Sequence, residues 1–356
     1  MTISVIKVLI PFLYFAFLFD GTWTFLDDLN YQDQGTTMLE RGYNPVNALI
    51  SADGLANLFS LSGGFHIVYG WWNVLAQYLF GRHYYAPIFL NVALTFVSAY
   101  FLFRIVILCG FGRKYAKAFI LFFLFHWDVL VWSSLVNLKE ILVLALTIIC
   151  FYSFFQILKT KKNIYYILLA AALFPFLFLR FYLPFLLLIA GLVWVFVYQK
   201  GKRKYNLVFV LVIGFILVLN FLGARATDNF GRLDVIGAVP GAFRMALTPR
   251  PWALNETSSF LIIPSALHWF FFIPSLFGAW KLSRRSKEVS LLLIYLLIIL
   301  LFYGSYEAIQ GIRQRFQVSF IFSWMQFHFI WLMFRKKVPH SKFNSHKTVV
   351  NIAEFR

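Results

Sequence analysis

Apolar residues run through this chain in blocks of about 17–25, the length that crosses a bilayer as a helix, with short polar turns between them. Ten blocks qualify: about 3–19, 84–108, 116–132, 141–158, 164–180, 181–198, 205–222, 259–280, 289–305 and 316–334. The stretch 164–198 is interrupted only by Arg180. It is too long for one span, and Pro175 and Pro184 flank the arginine, so the pattern predicts a tight helical hairpin there. Phe65–Phe80 (FHIVYGWWNVLAQYLF) is apolar, aromatic and short. It reads as a helix lying in the interface, with Tyr69, Trp71, Trp72 and Tyr78 at headgroup level. The pattern predicts an all-α, polytopic integral membrane protein of about ten transmembrane helices, with an extracytoplasmic first loop and an interfacial helix. Residues 1–337 form one transmembrane domain, and 338–356 form a polar cytoplasmic tail.

Composition agrees with this reading. Of the 356 residues 61% are hydrophobic and only 13% charged, where soluble domains carry about a quarter. Mean hydropathy is +0.76. A net charge of +18 would suggest nucleic acid in a soluble protein, but here its placement sets topology instead. With the N-terminus in the cytoplasm, the inner segments (Lys7 among them) hold 21 basic and two acidic residues, the outer side, including residues at helix ends, holds 10 basic and 12 acidic, and Arg104 lies inside a span. Both termini are then cytoplasmic, 20–83 and 223–258 are the outer loops, and nucleic acid is not expected as a partner. The N-terminal block lacks a small-x-small cleavage site before Asp20 and reads as an uncleaved span. Cys109 and Cys150 lie in apolar blocks and suggest neither a disulfide nor a metal site.

The outer side is where the chemistry collects. Phe25-Leu-Asp-Asp-Leu-Asn-Tyr-Gln-Asp-Gln-Gly35 follows the first span and is predicted to be a catalytic loop. Carboxylates at a membrane edge mark function more often than not. Asp27 or Asp28 could take a proton from a hydroxyl or hold a divalent cation through oxygen. No other cofactor is indicated, and metal dependence stays open. Asp27 is the favoured base because it stands nearer the first span. The outer turn Trp132–Glu140 ends in Lys139-Glu140, a substrate contact or an ion pair at a helix start. Arg180, Arg313 and Arg315 fall at outer helix ends. There an arginine fork suits a phosphate, or the side chain simply snorkels to the interface. Arg244 and Arg250 stand in the second outer loop. His66, His126 and His268 read as packing or interface residues. Asp128, inside the third span, could pair with His126 or line a cavity.

The order of these features resembles that of the polytopic GT-C superfamily of membrane glycosyltransferases, the protein O-mannosyltransferase and lipid A aminoarabinose transferase group. The order is one span; a D-D-x-x-Y stretch at Asp27–Tyr31; an outer segment ending Leu79-Phe80-Gly81; Asn91 opening a span; the basic turn Gly112-Arg113-Lys114; the turn to Glu140; and Gly311-Ile-Arg-Gln-Arg-Phe316 before the last span. The resemblance covers 1–160 best and implies a GT-C-like domain. It further implies transfer of a sugar from a polyprenyl-phosphate carrier to a hydroxyl of a glycan, lipid or protein acceptor. This would occur on the extracytoplasmic face of a bacterial inner membrane, in cell-envelope glycan assembly. Asp27 or Asp28 would act as base, and Tyr31, Lys139, Glu140, Arg180, Arg244, Arg313 and Arg315 would bind substrate. The alternatives are a repeat-unit polymerase of surface polysaccharide, and a transporter or flippase of lipid-linked glycans. A transporter should show internal repeats and helices broken at the midplane.

Overall fold

A computed structural model describes residues 2–64, 66–222, 234–306 and 311–334. Phe65, residues 223–233 of the second outer loop and the tail 338–356 lie outside the described residues. Those described are helical, and no strand occurs among them. In order the helices are α1 (Thr2–Phe17), α2 (Leu26–Glu40), α3 (Asn47–Ile50), α4 (Ala52–Leu61), α5 (Ile67–Phe80), α6 (Ala86–Leu108), α7 (Arg113–Leu124), α8 (Trp127–Ser134), α9 (Glu140–Thr160), α10 (Asn163–Leu173), α11 (Leu183–Tyr198), α12 (Lys202–Leu222), α13 (Ala238–Ala246), α14 (Ile262–Ser283), α15 (Lys287–Gly304), α16 (Ile312–Phe316) and α17 (Ser319–Phe334).

Among the described residues, four helical segments are long and apolar enough to cross a membrane: α6, α9, α14 with the turn before it, and α15. A fifth forms if α7 and α8 count as one span, bent by 49°. Helices α1, α11 and α17, and α10 with the 3-10 turn Phe174–Phe178, are apolar but shorter. By length and composition this is a membrane-embedded helical protein. The stretch 164–198 is broken at Arg180, between the 3-10 turn and α11. Buried aromatic and aliphatic side chains of α6, α7, α9, α11, α14, α15 and α17 form the main core.

Charge separates the two ends of the bundle. At one end Lys159 donates to the carbonyl of Leu108 and lies 4.0 Å from Glu288. Arg285 covers the Phe111 ring at 4.4 Å, and Lys281 and Arg284 flank Trp280 at 4.2 and 4.3 Å. Long cationic side chains spread over aromatic rings in this way suit a membrane boundary. The opposite end holds Asp27, Lys139, Glu140, Arg180 and Arg313.

Three expectations change. The stretch 25–35 is not a loop: it opens α2, because the Asp28 carboxylate accepts the Phe25 backbone N–H at 2.9 Å and so caps the helix start. Phe65–Phe80 does not lie free in the interface, since α5 packs along α2 and buries Tyr69. The crossing is close enough that a Cβ on Gly35 would meet Gln77 Nε2 at 2.7 Å and the Asn73 backbone at 3.0 Å. Lys7 is not an exposed charge at a helix end. It is buried within α1, and its Nζ donates to the Leu124 carbonyl and to Ser133 Oγ, both at 3.0 Å.

Candidate functional site

The adjacent aspartates have different surroundings. Asp28 is fully buried. One of its oxygens accepts the N–H groups of Phe25 and Leu29 at 2.9 and 2.8 Å, and the other accepts the Tyr84 hydroxyl at 2.7 Å. Below it, Asn137 donates to the Asp28 carbonyl at 3.2 Å and to Asn73 at 2.8 Å. Asp28 therefore ties α2 to the start of α6, with no free oxygen for a substrate. Burial outweighs these hydrogen bonds and holds its carboxyl above the usual range.

Asp27 points the other way. Its side chain is 48% exposed and pairs with Arg313, whose guanidinium stands 4.9 Å above the Phe25 ring. Phe25 is in turn stacked parallel to Trp132 at 6.3 Å. Partial burial of Asp27 pushes its carboxyl up. The bond to Arg313, that arginine's charge and the charge of Lys139 overcome this, so its carboxyl falls below the ordinary range. Asp27 and Arg313 line an open cleft of about 510 Å³ with Thr24, Phe25, Leu29 and Thr257.

One turn along α2, the Tyr31 hydroxyl accepts from Lys139 Nζ at 3.0 Å, and a His66 ring nitrogen lies 2.9 Å from the same Nζ. Lys139 is buried beside these neutral groups. Burial, followed by the Arg180 charge, brings its ammonium down to about 7. Burial and the Lys139 charge lower His66 to about 4, so its imidazole is neutral and can accept the lysine proton. Lys139 and Glu140 do not pair with each other. Glu140 Oε1 instead meets Arg180 Nη2 at 2.6 Å. Arg180 Nη1 donates to the Tyr182 hydroxyl at 2.7 Å, Tyr182 meets Tyr303 at 2.6 Å, and Gln317 donates to Tyr303 at 2.8 Å. These anchors fix the Arg180 fork, while Glu140 Oε2 and Arg180 Nε have no hydrogen-bond partner among the described residues.

The fold thus gathers Asp27, Tyr31, Lys139, Glu140, Arg180 and Arg313 at one end of the bundle. It separates three other expected residues from them. Asp28 is a helix cap, and Arg244 is exposed on α13. Arg315 is buried and bonded to Asp128 at 3.1 Å, so Asp128 pairs with this arginine and not with His126, one of the two readings the sequence left open. His66, expected as a packing or interface residue, belongs to the site, as do Tyr182, Tyr303 and Gln317, which nothing in the sequence singled out. The nearest signal was His66 following the Gly63-Gly64 turn, and its lysine partner lies 73 residues away. A divalent cation does not fit the Asp27–Asp28 pair, because Asp28 has spent both oxygens and Asp27 is held by an arginine. No group of three or more His, Cys, Asp or Glu converges elsewhere among the described residues.

Compared with protein-family models, curated proteins and solved structures, the chain matches none of them.

Proposed function

We propose that this protein is a membrane glycosyltransferase. It moves a sugar from a polyprenyl-phosphate carrier to an acceptor hydroxyl on the extracytoplasmic face, in cell-envelope glycan assembly. The observation that carries the reading is the half-exposed Asp27 carboxylate in an open cleft, paired with Arg313 and within electrostatic reach of Lys139. Asp27 takes the proton of the acceptor hydroxyl as its oxygen bonds to the anomeric carbon. The bond from that carbon to the phosphate oxygen breaks, and the electron pair leaves with polyprenyl phosphate. Cationic groups near that oxygen stabilise the charge as it develops. Arg180, already oriented by Glu140 and Tyr182, and Lys139, whose partners are neutral, are suited to this.

The reading includes ten spans with both termini cytoplasmic, and 20–83 and 223–258 outside. It is supported by the basic side chains gathered at the end opposite Asp27. Reporter fusions at Lys162, Lys202 and Arg285 should all report cytoplasm, and one outside signal overturns that topology.

One observation favours a second reading, transport of a lipid-linked glycan: the span built from α7 and α8 is broken next to buried charged groups. A mass spectrum of lipid-linked sugars from cells with and without the protein, taken with and without a membrane-impermeant label on the outer leaflet, separates the readings. A transferase leaves its polyprenyl-phosphate sugar unconsumed on the outer leaflet when deleted. A transporter leaves its cargo on the inner leaflet, and accumulation of diphosphate-linked repeat units indicates a polymerase.

A further inference from the structure

A separate group of polar side chains lies inside the bundle where α7 ends and α8 begins. Asp128, in the first turn of α8, accepts from Arg315 Nη2 at 3.1 Å. His126 Nε2 lies 2.8 Å from Gln326 Oε1 on α17, and His268 Nε2 on α14 lies 2.8 Å from the Ala246 carbonyl. His268 is within electrostatic reach of both Arg315 and His126. Lys7 caps the open carbonyl end of α7 through Leu124. His126, Asp128, His268, Arg315 and Gln326 are all buried.

Each contact satisfies only part of its group. Arg315 Nη1, Gln326 Nε2, Trp127 Nε1, His126 Nδ1 and His268 Nδ1 are buried with no hydrogen-bond partner among the described residues. Native interiors leave few such atoms, because each forfeits the hydrogen bond it had in water. Their chemistry identifies what satisfies them. Arg315, Gln326 and Trp127 present donors. His268 must donate through Nε2, because a carbonyl only accepts, so its Nδ1 is a bare acceptor. His126, donating to the Gln326 oxygen, likewise presents Nδ1 as an acceptor. An anion would need donors alone and a metal cation acceptors alone. The mixed set suits a molecule that does both.

We propose that the α7–α8 break is a buried hydration site, in which ordered water joins Arg315, Gln326 and Trp127 to His126 and His268. A buried water makes about three hydrogen bonds, so a single molecule is too few for the five atoms. The bend is then held by a charged pair and water, and α8 leads from it towards Asn137 and Lys139 of the outer site.

X-ray hydroxyl-radical footprinting of the whole protein in lipid nanodiscs tests this, because radicals form from bound water beside the side chains they mark. With rates divided by intrinsic reactivity, His126 and His268 should label several-fold faster than Phe155 and Phe176, which are equally buried elsewhere in the bundle. Rates no higher than those of the two phenylalanines would overturn the proposal. Gln326→Leu, if it inserts normally, should lower the His126 rate and leave Phe155 unchanged. An unaltered His126 rate in that variant would contradict the assignment of Gln326 to the site.

Discussion

Two arginine–carboxylate pairs of this protein begin from one five-residue helix and end in opposite surroundings. Arg313 and Arg315 are two positions apart on α16, about 200° around the helix axis. Arg313 reaches out to Asp27, in a pair whose side chains are 24% and 48% exposed. Arg315 reaches inward to Asp128, where the corresponding values are 2% and 4%. The same chemical pair opens onto a cleft in one case and locks a bent helix in the other. The identity of the residues does not separate a reactive site from a structural one. Access does, and so does whether a carboxylate oxygen remains free to meet a substrate. Substitutions at the inner pair should therefore cost stability, and those at the outer pair should cost turnover.

The inner pair should give the largest effect on folding. Asp128→Asn leaves Arg315 buried without its counter-charge, and breaking a buried pair costs about 3–5 kcal/mol. Thermal unfolding in detergent should show a clear loss, and unchanged stability would mean that Asp128 is not holding the break. Asp28→Asn comes next. It removes a charged acceptor for the Phe25 and Leu29 N–H groups and for Tyr84, at about 1–3 kcal/mol. Transfer per folded molecule should stay within a few-fold of wild type, and a loss matching that of an Asp27 variant would return Asp28 to the chemistry. Arg313→Lys keeps the charge but loses the planar fork. Turnover should drop by about tenfold, equivalent to about 1.4 kcal/mol, with normal expression. Full activity would make Arg313 a snorkelling side chain.

The smallest effect is a pH dependence. The Lys139 ammonium, brought down to about 7 by burial, is charged below that pH and neutral above it. If it holds the donor phosphate, donor binding weakens as pH rises through 7, and KM climbs by a few-fold. Lys139→Arg, charged throughout, should flatten this limb, and a limb that persists in that variant would remove Lys139 from the phosphate. Stability should follow the opposite trend. An unfolded lysine keeps its proton up to about 10.5, so between about pH 7 and 10.5 the unfolded chain binds more protons and the fold gains stability as pH rises.

Local features of this molecule could be read from the sequence more readily than contacts between distant segments. Hydropathy gave the positions of α6, α9, α14 and α15, because a lipid-facing helix must be apolar along its length. The turn at Arg180 followed from two prolines and an arginine that could not remain in mid-span. Six of the nine expected site residues share one end of the bundle because alternate turns of a helical bundle meet at the same end. What escaped the sequence depended on pairing across the fold. Nothing in the dipeptide Asp27-Asp28 says that Tyr84 will claim one carboxylate and Arg313 the other. Lys7 looked like a topology signal because its partners, Leu124 and Ser133, are more than a hundred residues away. His66 looked like an interface residue until α5 folded against α2 and brought it to Lys139.

The central claim is that Asp27 is the base in transfer from a lipid-linked donor. Asp27→Asn keeps the side-chain shape and can still meet Arg313 through its oxygen, but it cannot take a proton. Transfer should be measured in membranes supplied with polyprenyl-phosphate sugar and acceptor, with each variant normalised to inserted protein. General-base catalysis contributes about 10²–10⁴-fold, so Asp27→Asn should lose activity by that factor at unchanged insertion and stability. Near-normal transfer by Asp27→Asn would contradict the account and move the search for the base to Glu140 or Asp128.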